Sequence, residues 1–324
     1  MIPIKLTGSY EEMGRQHGGM MRGSGFAPPP MQPEQAPFVR ECEAILAQYA
    51  PELLVEMQAL AAAAGVSYDD LAALTIMAPL GQTAVPDCTV FALTPERTAN
   101  GRLLFGRNYD YFNEYEGFSF HTYPQDGYAS FGNCDIWVGR EDGLNEAGLF
   151  VGMAATMLPG VQPGLTFWFV LRMVLDRCAT VDEALALICE IPHAQSRNFL
   201  LADKSGKAVA VEATIEGVAV REPQNGLLVI TNHVVAPEWQ GRPAWFPPDS
   251  HPRYNRLQAL FGGGGVVDKD QVKAALRDHE GLLCSHWPEG NGGTLWSLVG
   301  SPGERELELA NGNPCANEYE RVTF

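Results

Sequence analysis

At CTVFALTPERTANGRLLFGRNYD, residues 88–110, the apolar period of the chain changes from helical to two-fold. Residues 88–94 have the alternation of a half-buried strand, 95–101 (PERTANG) are turn residues, and 102–108 (RLLFGRN) resume the two-fold period, which predicts a β-hairpin. The thiol of Cys88 opens the first strand, while Arg107 and Asp110 close the second. An antiparallel return brings that end back beside Cys88, where a guanidinium can stabilise a thiolate and a carboxylate can hold an amine.

Upstream of Cys88 the period is mostly helical. A proline-rich break, APPPMQP (27–33), cannot carry regular structure because proline lacks the N–H donor. Segments 36–49 and 51–64 place apolar residues at three and four spacings, with Pro51 suited to a first helical turn. Ser67 and Asp70 mark a further helix start. Residues 1–87 therefore read as a helical leader, and 88–324 as the body of the protein.

Downstream, strands are expected at 115–123, 134–140 and 148–155, then helices at 166–178 and at 181–190, the latter capped by Thr180. Next comes RNFLLAD, KSGK, AVAVEAT, IEG, VAVREP, QNG, LLVITNH (197–233), which reads as a meander of four strands, apolar enough to be covered on both faces. Helices at 253–261 and 268–278 and strands GTLWSLV and RELELA complete the chain. The order predicts an α+β fold, a four-layer αββα sandwich.

The 324 residues carry 22 Lys and Arg against 39 Asp and Glu, a net charge of -17, which repels phosphate backbones and anionic lipid surfaces. Nucleic acid and membrane are not expected partners. The N-terminus lacks the apolar stretch of a secretion signal and no window has the length of a membrane span, so the expectation is a soluble, cytoplasmic protein. Seven cysteines form an odd set without a CxxC pair or zinc-like spacing, so neither a disulfide framework nor a metal is expected. Cys42, Cys178 and Cys189 fit helical patterns as small core hydrophobes.

By periodicity alone a strand cysteine such as Cys88 is a core residue. His17, His233 and His286 read as satisfied or surface histidines, the aromatic set 167–169 with Trp137 as core, and Gly262–Gly265 as a loop, since it lacks the Lys and Ser or Thr of a phosphate cradle. A papain-like Cys-His pair has no histidine in a supporting context.

The chain resembles the choloylglycine hydrolase and penicillin acyltransferase group of N-terminal nucleophile hydrolases. Cys followed about twenty residues on by G-R-N-x-D is similar to that group's pattern. GSYEEMGRQHG resembles the leader of the acyl-coenzyme A:6-aminopenicillanic acid acyltransferase branch, DGLNEAGL (142–149) a shared turn, LLADKSGKAVAVE a shared strand pair, TNH (231–233) its T-N-x, and HPRYNRL (251–257) an arginine-bearing helix start; GTLWSLV and ANGNPC close the match.

The resemblance implies that self-cleavage after Asp87 frees Cys88 as nucleophile, its own α-amine serving as base. It further implies that Arg107 sits beside the thiolate, Asp110 holds the amine, Asn232 stabilises the oxyanion and Arg253 completes the site. No cofactor is implied. The expected partner is a small-molecule amide or acyl substrate, with homo-oligomerisation open. Two departures stand out: MAATML near Ala155 replaces the Asn or Tyr of bile salt and penicillin V hydrolases, and Asp87 stands where the penicillin acyltransferase has Gly. The alternative is an uncleaved, non-catalytic ligand-binding protein with the same fold.

Overall fold

The computed structural model describes residues 1–80, 87–113, 117–156, 158–287 and 290–322. The chain opens with β1 (Ile2–Gly8), α1 (Tyr10–Ser24), α2 (Ala36–Tyr49), α3 (Pro51–Ala64) and α4 (Tyr68–Met77). The hairpin follows as β2 (Asp87–Leu93) and β3 (Leu104–Phe112), then β4 (Phe118–Pro124), β5 (Ser130–Cys134), β6 (Asp142–Asn145) and β7 (Leu149–Ala155). After α5 (Phe167–Arg177) and α6 (Val181–Glu190) come β8 (Arg197–Asp203), β9 (Ala208–Thr214), β10 (Gly217–Arg221) and β11 (Leu227–Ile230). The chain continues through α7 (Ser250–Phe261), α8 (Lys269–Leu276), β12 (Gly292–Ser301), β13 (Glu306–Asn311) and β14 (Glu320–Val322).

These strands form an eight-stranded sheet, β1-β4-β5-β6-β7-β8-β9-β10, and a six-stranded sheet, β11-β2-β3-β12-β13-β14. Side-chain alternation builds the layers. Along β2, Cys88, Val90 and Ala92 enter the core between the sheets with Phe105, Phe150 and Trp296, whereas Phe91 and Leu93 enter a second core with Leu257 of α7 and Leu276 of α8. A third core packs the other face of the large sheet against α1–α6. The result is the αββα sandwich.

Local signals behave as their chemistry dictates. Ser67 accepts from Asp70 N at the start of α4, and Thr180 accepts from Glu183 N at the start of α6. Three expectations are modified. The run 197–233 is not one meander: β8, β9 and β10 belong to the large sheet, while β11 crosses to the small one and pairs antiparallel with β2, Ile230 opposite Val90. An apolar strand covered on both faces satisfies either sheet, so sequence could not assign it. In place of the strand expected at 134–140, β5 covers Ser130–Cys134 and the chain then bends, the Cys134 thiol donating to Val138 O at 3.1 Å. The leader also contributes a strand, β1, which pairs parallel with β4.

The leader's first helix is held close. A Cβ at Gly14 would lie 2.3 Å from Glu56 O, and one at Gly18 2.3 Å from Leu60 O, so these two glycines let α1 cross α3 backbone to backbone. Among the described residues no helix is long and apolar enough to cross a membrane.

Candidate active site

Register positions the predicted residues. In the β2–β3 pair, Cys88 faces Tyr109, Val90 faces Arg107 and Asp87 faces Asp110. Cys88 and Arg107 are thus diagonal neighbours on the inter-sheet face, within reach for a side chain as long as arginine. Asp87 and Asp110 sit on the opposite face, toward α7 and α8. Cys88, Arg107, Asp110, Asn232 and Arg253 are all buried.

Arg107 bridges the two sheets. Its Nε lies 2.6 Å from Asp142 Oδ2 on β6, and its Nη1 donates to Met153 O on β7 at 2.7 Å. Burial pushes the Cys88 thiol up to about 12, and the Arg107 charge is the largest influence in the other direction. Such a thiol is protonated in this environment and attacks only once a base takes its proton.

Arg253 enters from α7 and gathers the second half of the cluster. Its Nη1 donates to the carbonyl oxygen of Cys88 and, at 3.1 Å, to Thr89 Oγ1. Its Nη2 lies 2.9 Å from Asn232 Oδ1 and 3.3 Å from both Asp87 Oδ1 and Asp249 Oδ1. The peptide N–H of Cys88 donates to Asn232 Oδ1 at 2.8 Å, and Asn232 Nδ2 donates to Ala155 O at 2.9 Å. The bond between residues 87 and 88 is therefore gripped on both sides. Residues Val85 and Pro86, expected to be extended by the proline rule, lie outside the described residues.

Asp110 accepts from Thr294 Oγ1 at 2.6 Å through Oδ1, while its Oδ2 is buried without a hydrogen-bond partner among the described residues. Burial raises the Asp110 carboxyl well above its ordinary range, against the pull of Arg253. Asp87 rises to about 7 for the same reason. Two carboxyl groups directly opposed across a strand pair repel when both ionise, which is why one guanidinium serves them both.

The sequence did not point to Thr294, Asp142 or Asp249. Asp249 stands four residues before Arg253 on one helical face, a readable signal. Thr294 and Asp142 are set by strand register and by the facing sheet, which leave no local trace. Of the histidines, His233 packs beside the cluster, its Nδ1 2.8 Å from Ser250 Oγ, which itself accepts from Asn232 N at 2.9 Å. Its pKa is pushed down to about 3 by burial, so it stays neutral. His17 is buried under α3, where it edges onto Phe120.

Two adjoining clefts of about 270 and 340 Å³ share Leu158, Pro159, Gly160, Ser196 and Pro243, and the second extends to Leu80 and Thr156. Thr156 follows Ala155, whose carbonyl holds Asn232. Phe167, Trp168 and Phe169 instead fill the core against the leader helices. Apart from the Cys88 cluster, His279, Cys284, His286 and Cys315 gather near the end of α8.

Two facing sheets between helical layers, with a thiol opening a central strand, define an N-terminal nucleophile hydrolase fold. Residues 97–316 match the family model of the acyl-coenzyme A:6-aminopenicillanic acid acyl-transferases, and the chain belongs to that family. The matched span includes Arg107, Asp110, Asn232 and Arg253 and begins after Cys88. No curated protein matches the chain. Among solved structures, a mutant of the conjugated bile acid hydrolase of Clostridium perfringens is similar at 16% identity and a TM-score of 0.50, over 73% of this chain and 97% of that one. The N-acylethanolamine-hydrolyzing acid amidase ortholog of Caenorhabditis elegans gives 18%, 0.49, 67% and 93%, and the penicillin V acylase of Agrobacterium tumefaciens 18%, 0.47, 69% and 83%. At such identities the likeness to the bile acid hydrolase speaks to fold alone.

Proposed function

We propose that this chain, an amidohydrolase or N-acyltransferase by its family, is a cysteine enzyme made by cleavage of its own Asp87–Cys88 bond. It divides residues 1–87 from a catalytic body, 88–324. In the intact chain the Cys88 nitrogen is an amide with no basicity, and the thiol is buried and protonated. Cleavage turns that nitrogen into an α-amine, whose ordinary pKa of about 7.7 to 8 suits it to take the thiol proton. Nucleophile and base then share one residue, so their mutual orientation is built in. Arg107 stabilises the thiolate, Asp110 accepts a hydrogen bond from the new amine, Asn232 and Arg253 hold the neighbouring peptide groups, and a linear amide passes its acyl group to Cys88 as a thioester while its C–N bond breaks and the amine leaves with the proton that the α-amine took from the thiol. Water or an amine then receives it.

The single observation that carries this reading is the buried Oδ2 of Asp110, without a hydrogen-bond partner among the described residues, on the position that pairs with Asp87, the residue before the peptide nitrogen held by Asn232. A buried carboxyl oxygen without a partner is unfavourable by about 1–3 kcal/mol, and a charged α-amine at residue 88 supplies a donor that favours the ionised form.

Denaturing mass spectrometry of the purified protein tests it. Fragments of 87 and 237 residues are expected, absent in Cys88→Ala; a parent chain that stays whole at 35.3 kDa refutes the proposal and supports a non-catalytic binding protein. A labelled N-acyl amide, with water and added amines competing for the acyl group, then separates hydrolysis from transfer.

A further inference from the structure

Four soft or borderline ligands meet on the surface beside α8, and none belongs to the cluster around Cys88. One ligand atom from each of His279, Cys284, His286 and Cys315 lies within 4.8 Å of every other. His286 Nε2 is 3.7 Å from Cys284 Sγ and 3.3 Å from Cys315 Sγ. A tetrahedral zinc with Zn–S near 2.3 Å and Zn–N near 2.0–2.1 Å has S···N edges of about 3.5–3.6 Å. The two measured edges bracket that length. A neutral imidazole nitrogen offers one N–H or one lone pair, so two sulfurs at these distances share a single proton site, whereas a metal-bound nitrogen is flanked by both thiolates.

The backbone is set up to present these four side chains. Leu282 adopts a left-handed φ of 61°, folding the 279–286 loop back on itself, and Cys284 N donates to Asp278 O at 2.9 Å. The distant fourth ligand is tied in separately: Arg277 Nε donates to Pro314 O at 2.8 Å, and Asn313 Nδ2 donates to Ser285 O at 2.8 Å. These bonds fix residues on either side of the cluster without using any ligand atom.

We propose that His279, Cys284, His286 and Cys315 form a structural Cys2His2 site for a zinc-class divalent ion. Binding replaces the two thiol protons, which leave to solvent, so Zn2+ with two thiolates and two neutral imidazoles is uncharged overall. Four protein ligands leave no open position, which makes the role structural rather than catalytic. The ion would staple the segment after β13 to the loop between α8 and β12. That loop reaches the other cluster: Ser285 N donates to Thr294 Oγ1 at 3.0 Å, and Thr294 Oγ1 donates to Asp110.

The test uses the full-length chain, freed of any histidine tag and kept reduced. Elemental analysis after dialysis should find one zinc per chain, and Co2+ in its place should give the intense visible bands of tetrahedral thiolate cobalt. Cys315→Ser, at an exposed position, should weaken zinc binding at least about 100-fold, more than the 10–100-fold typical of losing a mere outer-shell partner. Cys189→Ser, an exposed cysteine elsewhere, and Cys88→Ala should keep the ion, which separates this proposal from the one about catalysis. A reduced parent protein that binds zinc no tighter than Cys315→Ser, or binds Co2+ without the tetrahedral spectrum, overturns the proposal; so does a Cys284–Cys315 disulfide whose reduction yields no metal binding.

Discussion

Arg253 is the place to test whether the buried cluster is held by charge. Replacing it with Met in a Cys88→Ala background keeps the chain uncleaved and retains most of the side-chain volume. It removes the cation that lies 3.3 Å from both Asp87 and Asp249 and also neighbours Asp110. At 4 Å a single pair is worth about 4 kcal/mol with an effective dielectric of 20, and stripping one partner from a buried pair typically destabilises by about 3–5 kcal/mol. The effect depends on pH with a definite sign. Asp87 has a folded pKa of about 7 against an ordinary 3.8, so the folded state favours its protonated form, and stability falls as pH rises through that window. Without Arg253 both Asp87 and Asp110 are raised further. Urea unfolding should therefore show a loss of about 3–5 kcal/mol at pH 8 and about half that at pH 5.5. Adding Asp87→Asn should restore stability mainly at the higher pH. An equal loss at both pH values, with no relief from Asp87→Asn, would mean that Arg253 acts through packing and that the charge argument is wrong.

Gly18→Ala should gain about 1 kcal/mol in helix propensity yet lose more, because its Cβ would meet Leu60 O at 2.3 Å; a net destabilisation of about 1–2 kcal/mol, measured by thermal or urea unfolding, is expected, and a stabilised variant refutes the close crossing of α1 and α3. Thr294→Val removes the 2.6 Å hydrogen bond that favours the ionised form of Asp110, so its carboxyl should rise further and the acidic limb of kcat/KM should move up by about one pH unit, with an unmoved limb counting against Asp110 as the partner of the amine.

Local chemistry was legible in the sequence. The hairpin 88–110, the caps Ser67 and Thr180, and the helices at 36–49, 51–64 and 181–190 follow from residues within a few positions of each other, and the structure has them at those positions. What escaped depends on partners distant in sequence. β11 reads like its neighbours but joins the other sheet. Asp142 reaches Arg107 from the facing sheet, and Thr294 reaches Asp110 from β12. Cys315 lies 29 residues from His286, a gap that no short spacing rule detects. One hairpin brings residues 88, 107 and 110 together, but by pattern alone Cys88 reads as a core residue, and its assignment as a site, like those of Asn232 and Arg253, entered through family resemblance.

The parallel pairing of β1 with β4 has a consequence for the leader's fate. All seven residues of β1, Ile2 to Gly8, are in register with Phe118 to Pro124, and they close one margin of the large sheet. Were the first 87 residues to leave after cleavage, that margin would offer a row of unsatisfied amides and carbonyls to any passing chain, an invitation to fibrillar association. Under the proposed cleavage, a segment 1–87 that stays seated as a second subunit avoids this, and the cut protein is expected to run as a non-covalent pair of its own fragments in native chromatography and to aggregate when they are separated.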